Sequence, residues 1–384
     1  MAPVFSTRAR MPVAPNAFSE RCHALRAAGI ALLDLAVSNP TAVGLFSDDS
    51  WLHLLSAANG AHYRPEPLGL LSARKAVAAV YEKQGLAVDA EQVVLCSSTS
   101  EAYAWLFTLL CDAGDSIAIP TPSYPLLDHL ASFAQVRPRL YGIGYDGAYY
   151  IDVNSVRENL DASTRAIVLV SPNNPTGSFT RRPELEALET LGLPLISDEV
   201  FADFCLTSDP PGLRSVLQAK ESLVFALGGL SKSSAWPQLK LAWIVVGGPP
   251  RLREPALARL ELIADTFLSA NTPVQEALPE LLAIGLSRQA EVKRRLQTNL
   301  SAIEALTRGS AVSARPVQGG WSAVLSLPLT EPLDWATTLL EQERVLVQPG
   351  WFYDFADERL IVVSLLAPVA EFAEGLNRIV RRAG

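Results

Sequence analysis

The 384-residue chain is poor in the residues that mark metal sites and disulfide frameworks, with four cysteines and four histidines in all. Cys22, Cys96, Cys111 and Cys205 show neither metal-ligand spacing nor the density of a disulfide scaffold, so reduced thiols in a cytosolic protein are expected. Positive charge is also lacking: 32 Lys and Arg stand against 40 Asp and Glu, a net charge of −8. That balance carries no basic footprint for nucleic acid. No apolar run reaches the ~18 to 20 residues of a membrane span. The first fifteen residues hold Pro and Arg but no apolar segment of a signal peptide, and a cytoplasmic protein with a small-molecule substrate is expected. Internal repeats and low-complexity tracts are missing too. What is present is 49% hydrophobic content, enough for a large core, and at ~150 residues per domain a chain of this length suggests two or three units.

Short apolar runs alternate with helical patterns through the middle of the chain: Val93 to Leu95, Ser116 to Ile119, Ala166 to Val170, Leu193 to Ile196, Leu223 to Leu227 and Leu241 to Val246. Continuous Val/Ile/Leu-rich runs suit strands covered on both faces, and a mainly parallel sheet flanked by helices follows. After Pro249-Pro250 the pattern changes to long helical stretches. Strand-like segments around Val317 to Leu327, Arg344 to Val347 and Leu360 to Leu365 then predict a smaller α+β unit.

Three motifs follow apolar strands. Ser171-Pro172-Asn173-Asn174-Pro175-Thr176-Gly177 follows Ala166 to Val170, Ser197-Asp198-Glu199 follows Leu193 to Ile196, and Gly228-Gly229-Leu230-Ser231-Lys232-Ser233 follows Leu223 to Leu227. An asparagine, an aspartate and a lysine are each delivered at the carboxyl end of a strand, where open α/β sheets hold their ligands. In order and separation these motifs resemble the class I/II aminotransferases, pyridoxal-phosphate enzymes of fold type I, and the likeness runs from about Leu33 to the C-terminus. It implies a large cofactor-binding domain over 48–285 with a mainly parallel seven-stranded sheet flanked by helices. A small α+β domain over 286–384 is joined by the N-terminal segment 1–47, and helices near 272–308 connect the two.

The resemblance also implies roles. Lys232 would hold the aldehyde of pyridoxal 5'-phosphate and carry a proton, which requires an amine that is neutral part of the time. Asp198 would partner the pyridine nitrogen, with Glu199 beside it a spectator. Asn174 would donate to the ring's phenolic oxygen; Asn173 is the weaker candidate, and both also suit a plain turn. Main-chain groups of Ser98 and Thr99, at a helix start, would hold the phosphate, although the same residues serve as a helix cap without any ligand. Ser231 is a further phosphate candidate, and Tyr124 corresponds to the aromatic that stacks on the cofactor ring. Tyr63 matches the tyrosine that reaches the phosphate of a neighbouring subunit, which implies a homodimer with shared active sites.

The chain departs from the family pattern in three places. Lys240 stands where an arginine usually grips the phosphate, a point charge in place of a fork, and Gln238 and Ala242 replace nearby glycines. Phe201 replaces a tyrosine near the phenolic oxygen. Val362 stands where an arginine usually holds the substrate's carboxylate; Arg359 lies three positions away on the strand, and strand alternation would aim it at the opposite face. Either another cation, from Arg64, Arg359 or a subunit neighbour, takes that carboxylate, or the substrate presents none there. The aromatics Trp351 to Phe355 and Trp236 are candidates for an apolar pocket or for core packing. An aminotransferase with an amino donor and a keto-acid acceptor is the leading expectation. A lyase, decarboxylase or racemase on the same scaffold is the alternative, since orientation of the breaking bond selects among them. A non-catalytic cofactor-binding regulator is the third reading, for which the sequence offers no basic helix-turn-helix.

Overall fold

A computed structural model describes residues 4–9, 11, 13–46, 48–56, 58–208, 212–329 and 334–384. In chain order its strands are β1 (Leu33–Asp34), β2 (Val93–Cys96), β3 (Ser116–Thr121), β4 (Arg137–Tyr145), β5 (Tyr149–Ile151), β6 (Thr164–Val170), β7 (Leu195–Asp198), β8 (Val224–Gly229), β9 (Ala242–Gly247), β10 (Ser313–Ala314), β11 (Ser322–Ser326), β12 (Val345–Leu346), β13 (Gln348–Pro349) and β14 (Leu360–Ser364).

The large sheet has the order β2-β9-β8-β7-β6-β3-β4-β5. Its centre is parallel, from β8 through β7, β6 and β3 to β4. The outer pairings β8–β9, β2–β9 and β4–β5 are antiparallel. The sheet is thus eight strands wide where seven were expected. The additional β5 is a three-residue edge strand that folds back on β4 through Asp146-Gly147, too short to leave an apolar run in the sequence.

Alternate residues of the central strands feed two cores, which is why these strands read as unbroken apolar runs. Ile167, Leu169, Leu195, Val224, Ala226 and Val245 face one way, under the helix Leu71–Lys83 and the start of the helix Thr272–Thr307. Val168, Ile196, Phe225, Leu227 and Ile244 face the other, under Thr99–Leu110 and Pro250–Phe267.

The second layer is a four-stranded antiparallel sheet, β10-β11-β14-β13. The helix Val369–Ala383 packs on it through Phe372, Leu376 and Ile379. β1 joins this region by pairing in parallel with β12. A single 36-residue helix, Thr272–Thr307, runs between the two cores where several helices were expected. Its Leu278 and Leu281 pack with the large sheet, and its Val292, Leu296 and Ile303 with the small one. Gly285 lies at the crossing, where a Cβ would come within 2.5 Å of Ser234 Oγ, so a side chain there would push the helix off the loop beneath it.

Candidate active site

The carboxyl ends of β3, β6, β7 and β8 open into a cavity of about 310 Å³, closed on its far side by the small sheet and the N-terminal segment. Lys232, Asp198, Asn174, Thr99 and Tyr124 all line it, so five of the residues given a cofactor role from the sequence meet in one place, with Phe201 beside them.

Lys232 sits in a one-turn helix, Leu230–Ser233, that begins where β8 ends. The glycines before it are required by close packing on β9: a Cβ on Gly228 would lie 2.4 Å from the Trp243 indole nitrogen. The amine makes no ion pair among the described residues. It lies 4.8 Å from the ring centre of Trp321 and 5.5 Å from that of Phe201. Burial disfavours the charged form and pulls the amine down to about 8, with the Asp198 charge acting in the opposite direction. An appreciable neutral fraction near pH 7 to 8 follows.

Asp198 ends β7. Its carboxylate accepts from the Val200 amide at 3.2 Å and from the Tyr103 hydroxyl at 3.4 Å. Desolvation nevertheless raises it to about 6, because those hydrogen bonds and the Lys232 charge only partly offset the loss of water. Glu199 points into the interior, is 7% exposed, and accepts the Val216 amide at 2.7 Å. Tyr103 lines the cavity one helical turn beyond Thr99. Nothing in the sequence pattern marked it, because its i+4 spacing also suits core packing.

The two neighbouring asparagines divide their work. Asn173 is buried and folds the turn: its Oδ1 accepts from the Thr176 amide at 3.2 Å and hydroxyl at 2.8 Å, and its Nδ2 donates to the Pro122 carbonyl at 3.3 Å. Asn174 lines the cavity and accepts from the Ser322 hydroxyl at 3.4 Å, and its amide nitrogen has no partner among the described residues.

At the start of the helix Thr99–Leu110, the Ser98 hydroxyl caps the Glu101 amide at 3.1 Å. Glu101 in turn accepts from the Ser97 amide at 2.7 Å and hydroxyl at 2.8 Å, and from the Ser269 hydroxyl at 2.6 Å. The loop before the helix is therefore held rigid while Thr99 faces the cavity.

Ser98, Ser231, Lys240 and Tyr63 do not line the cavity. Lys240 is exposed, with a left-handed φ of 50°. Tyr63 is 76% exposed and borders a separate groove with Arg64 and Gln275. Of the three cation sources considered in the sequence, two are accounted for within this chain. Arg64 pairs with Glu276, and Arg359 grips Asp357 in a fork at 2.8 and 2.9 Å. Val362 is fully buried beside Val324, Leu360 and Tyr353. The far wall is built from residues the sequence did not single out: Ser38, Trp321, Ser322, Gln348 and Ser364. Phe352 and Tyr353 join that wall, whereas Trp236 is fully buried elsewhere, 5.5 Å from Trp51.

The model of the family described as aminotransferase class I and II matches residues 33–367. The glutamate-pyruvate aminotransferase AlaA of Escherichia coli (strain K12) is 28% identical over 260 residues, which is 66% of this chain and 64% of that protein. An alanine aminotransferase of Mycobacterium tuberculosis (strain ATCC 25618 / H37Rv) is 29% identical over 261 residues, 66% of this chain and 61% of that one. The chain thus aligns with somewhat less than two thirds of these relatives' length. Among solved structures, the alanine aminotransferase from Pyrococcus furiosus superposes with a TM-score of 0.88, covering 99% of both chains at 22% identity, a likeness of fold.

Proposed function

The chain belongs to the aminotransferase class I and II family, and from that premise we propose that it is a pyridoxal-phosphate-dependent aminotransferase acting on an amino acid and a keto acid. The observation that carries this reading is the Lys232 amine, brought down to about 8, lining the same cavity as the Asp198 carboxylate at the end of the neighbouring strand.

The residues present fit the cofactor. Lys232 offers an amine, Asp198 a carboxylate for a ring nitrogen, Asn174 a neutral donor, and the helix start at Ser98-Thr99 main-chain N–H groups for a phosphate. Ser231 and Lys240, although they do not line the cavity, are the further proposed phosphate ligands, and Tyr124, which does line it, would flank the ring. When bound, pyridoxal phosphate supplies an aldehyde that takes up the amine and a ring that accepts the electron pair released at the substrate's α-carbon.

The chain's own groups do the rest. Lys232, when neutral, would take the proton from the substrate's α-carbon and deliver it to the cofactor's aldehyde carbon on the way to the keto product. Asp198 would keep a proton on the ring nitrogen, and the Tyr103 hydroxyl, donating to the Asp198 carboxylate, helps hold it in place. Phe201 and Trp321, whose rings lie against the amine, exclude water from it, which strengthens each of these interactions. Among the described residues no arginine lines the cavity, so the substrate's carboxylate would meet neutral donors there, the Asn174 amide and the hydroxyls of Ser38 and Ser364.

We further propose a homodimer in which Tyr63 serves the partner's site, a division into 48–285 and 286–384 with the N-terminal segment joining the latter, and a cytoplasmic location. Among the described residues no helix is long and apolar enough to cross a membrane. Purified, cofactor-loaded protein given paired amino acids and keto acids tests the reading. Exchange of the amino group that needs both partners supports transamination, whereas release of ammonia without a keto acid would assign the cavity to elimination.

A further inference from the structure

The long helix carries a guanidinium that none of this chemistry uses. Arg288 is 8% exposed; its Nε donates to the Ser234 carbonyl and an Nη to the Ala235 carbonyl, each at 3.1 Å. Its central carbon lies over two aromatic rings, 3.5 Å from the Phe46 ring centre and 4.6 Å from that of Trp236. No carboxylate pairs with it among the described residues. Asp48 and Glu291 act on it only from a distance, and burial pulls it down to about 10. Two carbonyls and two rings thus compensate a largely dehydrated charge, an arrangement suited to the flat arginine fork and not to a lysine.

The carbonyls it holds come directly after the turn that bears Lys232. Ser234 and Ala235 close that turn, and Ala235 has φ +56°, a left-handed backbone that a side chain disfavours. Gly285, one helical turn before Arg288, brings the helix into contact with Ser234. On the other side of the guanidinium, Phe46 belongs to the N-terminal segment whose Ala36 and Ser38 line the cavity. That segment is anchored to the small sheet where the Ser364 amide donates to the Leu35 carbonyl at 2.7 Å.

We propose that Arg288 is a positioning residue for Lys232: it caps the lysine-bearing turn and, through Phe46, ties the seating of the N-terminal segment over the cavity to the placement of the amine. This rests on Lys232 being the reactive amine.

The test uses cofactor-loaded wild type with Arg288→Met, Arg288→Lys and Phe46→Leu, the last leaving both carbonyl bonds in place. Hydrogen exchange is followed in peptides covering 33–46 and 230–236, with 320–327 as the reference. The expected result is faster exchange in both peptides together for Phe46→Leu and for Arg288→Met, with the reference unchanged. For Arg288→Met a fall in kcat of about 10- to 100-fold is expected, with KM moving much less, as for a displaced reacting group. Arg288→Lys recovers part of the loss. Should Arg288→Met not fold, Phe46→Leu and Arg288→Lys carry the test. Faster exchange confined to 33–46 in Phe46→Leu, or variants that lower thermal stability while kcat and its pH profile stay at wild type, would overturn the proposal. Coupled exchange with the cofactor found on a lysine other than Lys232 would overturn the functional reading while the coupling stands.

Discussion

Exchanging Glu199 for Gln removes a buried charge adjacent in sequence to Asp198 without altering the cavity. Glu199 is 7% exposed, accepts the Val216 amide, and receives side-chain hydrogen bonds from Ser197 and Ser215. Those bonds favour the carboxylate, but burial outweighs them and the like charge of Asp198 adds to it, so the group rises from 4.5 to about 7. A group raised on folding contributes stability that is fully present below its unfolded value and is lost as pH climbs through its folded value. The window therefore runs from 4.5 to about 7. A shift of that size corresponds to at most about 3 kcal/mol at 1.36 kcal/mol per unit. Glutamine keeps the amide acceptor and never ionises, so it avoids this loss. Urea unfolding of the cofactor-free protein near pH 5 and near pH 8.5 measures it by linear extrapolation. The stability difference, variant minus wild type, is expected to grow by about 2 to 3 kcal/mol in the variant's favour between those conditions. Turnover of the loaded variant is expected to stay within about threefold of wild type, since Glu199 does not face the cavity. A pH-independent difference would refute the burial argument, and loss of turnover would refute the assignment of Glu199 as a spectator.

Asp198→Asn removes the carboxylate that does face the cavity. A hydrogen bond to a charged group is worth about 1.5 to 3 kcal/mol, so kcat should fall by roughly 10- to 100-fold, measured with saturating cofactor; a loss below about tenfold would remove Asp198 from the mechanism. In the cofactor-free form of this variant the Lys232 amine should titrate lower than in wild type, because the Asp198 charge raises it; pH-dependent chemical modification of Lys232 reads this, and an unchanged midpoint contradicts it. Val362→Arg would place a fork beside the neutral wall. Overpacking against Val324 and Tyr353 should cost about 1 to 3 kcal/mol, seen as a lower urea midpoint, while KM for a carboxylate-bearing donor should drop by about tenfold through a charge-assisted contact. A folded variant with unchanged KM would show that no substrate carboxylate approaches this wall.

Legibility in the sequence followed the range of the contacts. The central strands could be read because both faces are buried, which leaves unbroken runs such as Val224 to Leu227 and Ile244 to Val246. Lys232, Asp198 and Asn174 were visible because each follows its own strand within a few residues. β4 was not picked out, since as an outer strand it mixes exposed and buried positions, and β5 has only three residues. The far wall was out of reach for a different reason. Ser38, Trp321, Gln348 and Ser364 arrive from segments distant in the chain, and only the packing of the small sheet and β1 against the large sheet brings them to Lys232. Residue type alone likewise could not separate Asn173 from Asn174, or Asp198 from Glu199. The register of each turn decides which member of the pair turns inward.

The proposed activity depends first on Lys232 as the residue that takes the cofactor. Protein loaded with pyridoxal phosphate and reduced with borohydride, which makes a lysine-bound aldehyde permanent, can be digested and its peptides weighed. The prediction is one equivalent of cofactor per chain, found on the peptide containing Lys232 and missing from Lys232→Ala. Attachment at Lys83, Lys240 or another lysine, or cofactor retained by Lys232→Ala in the same covalent yield, would contradict it.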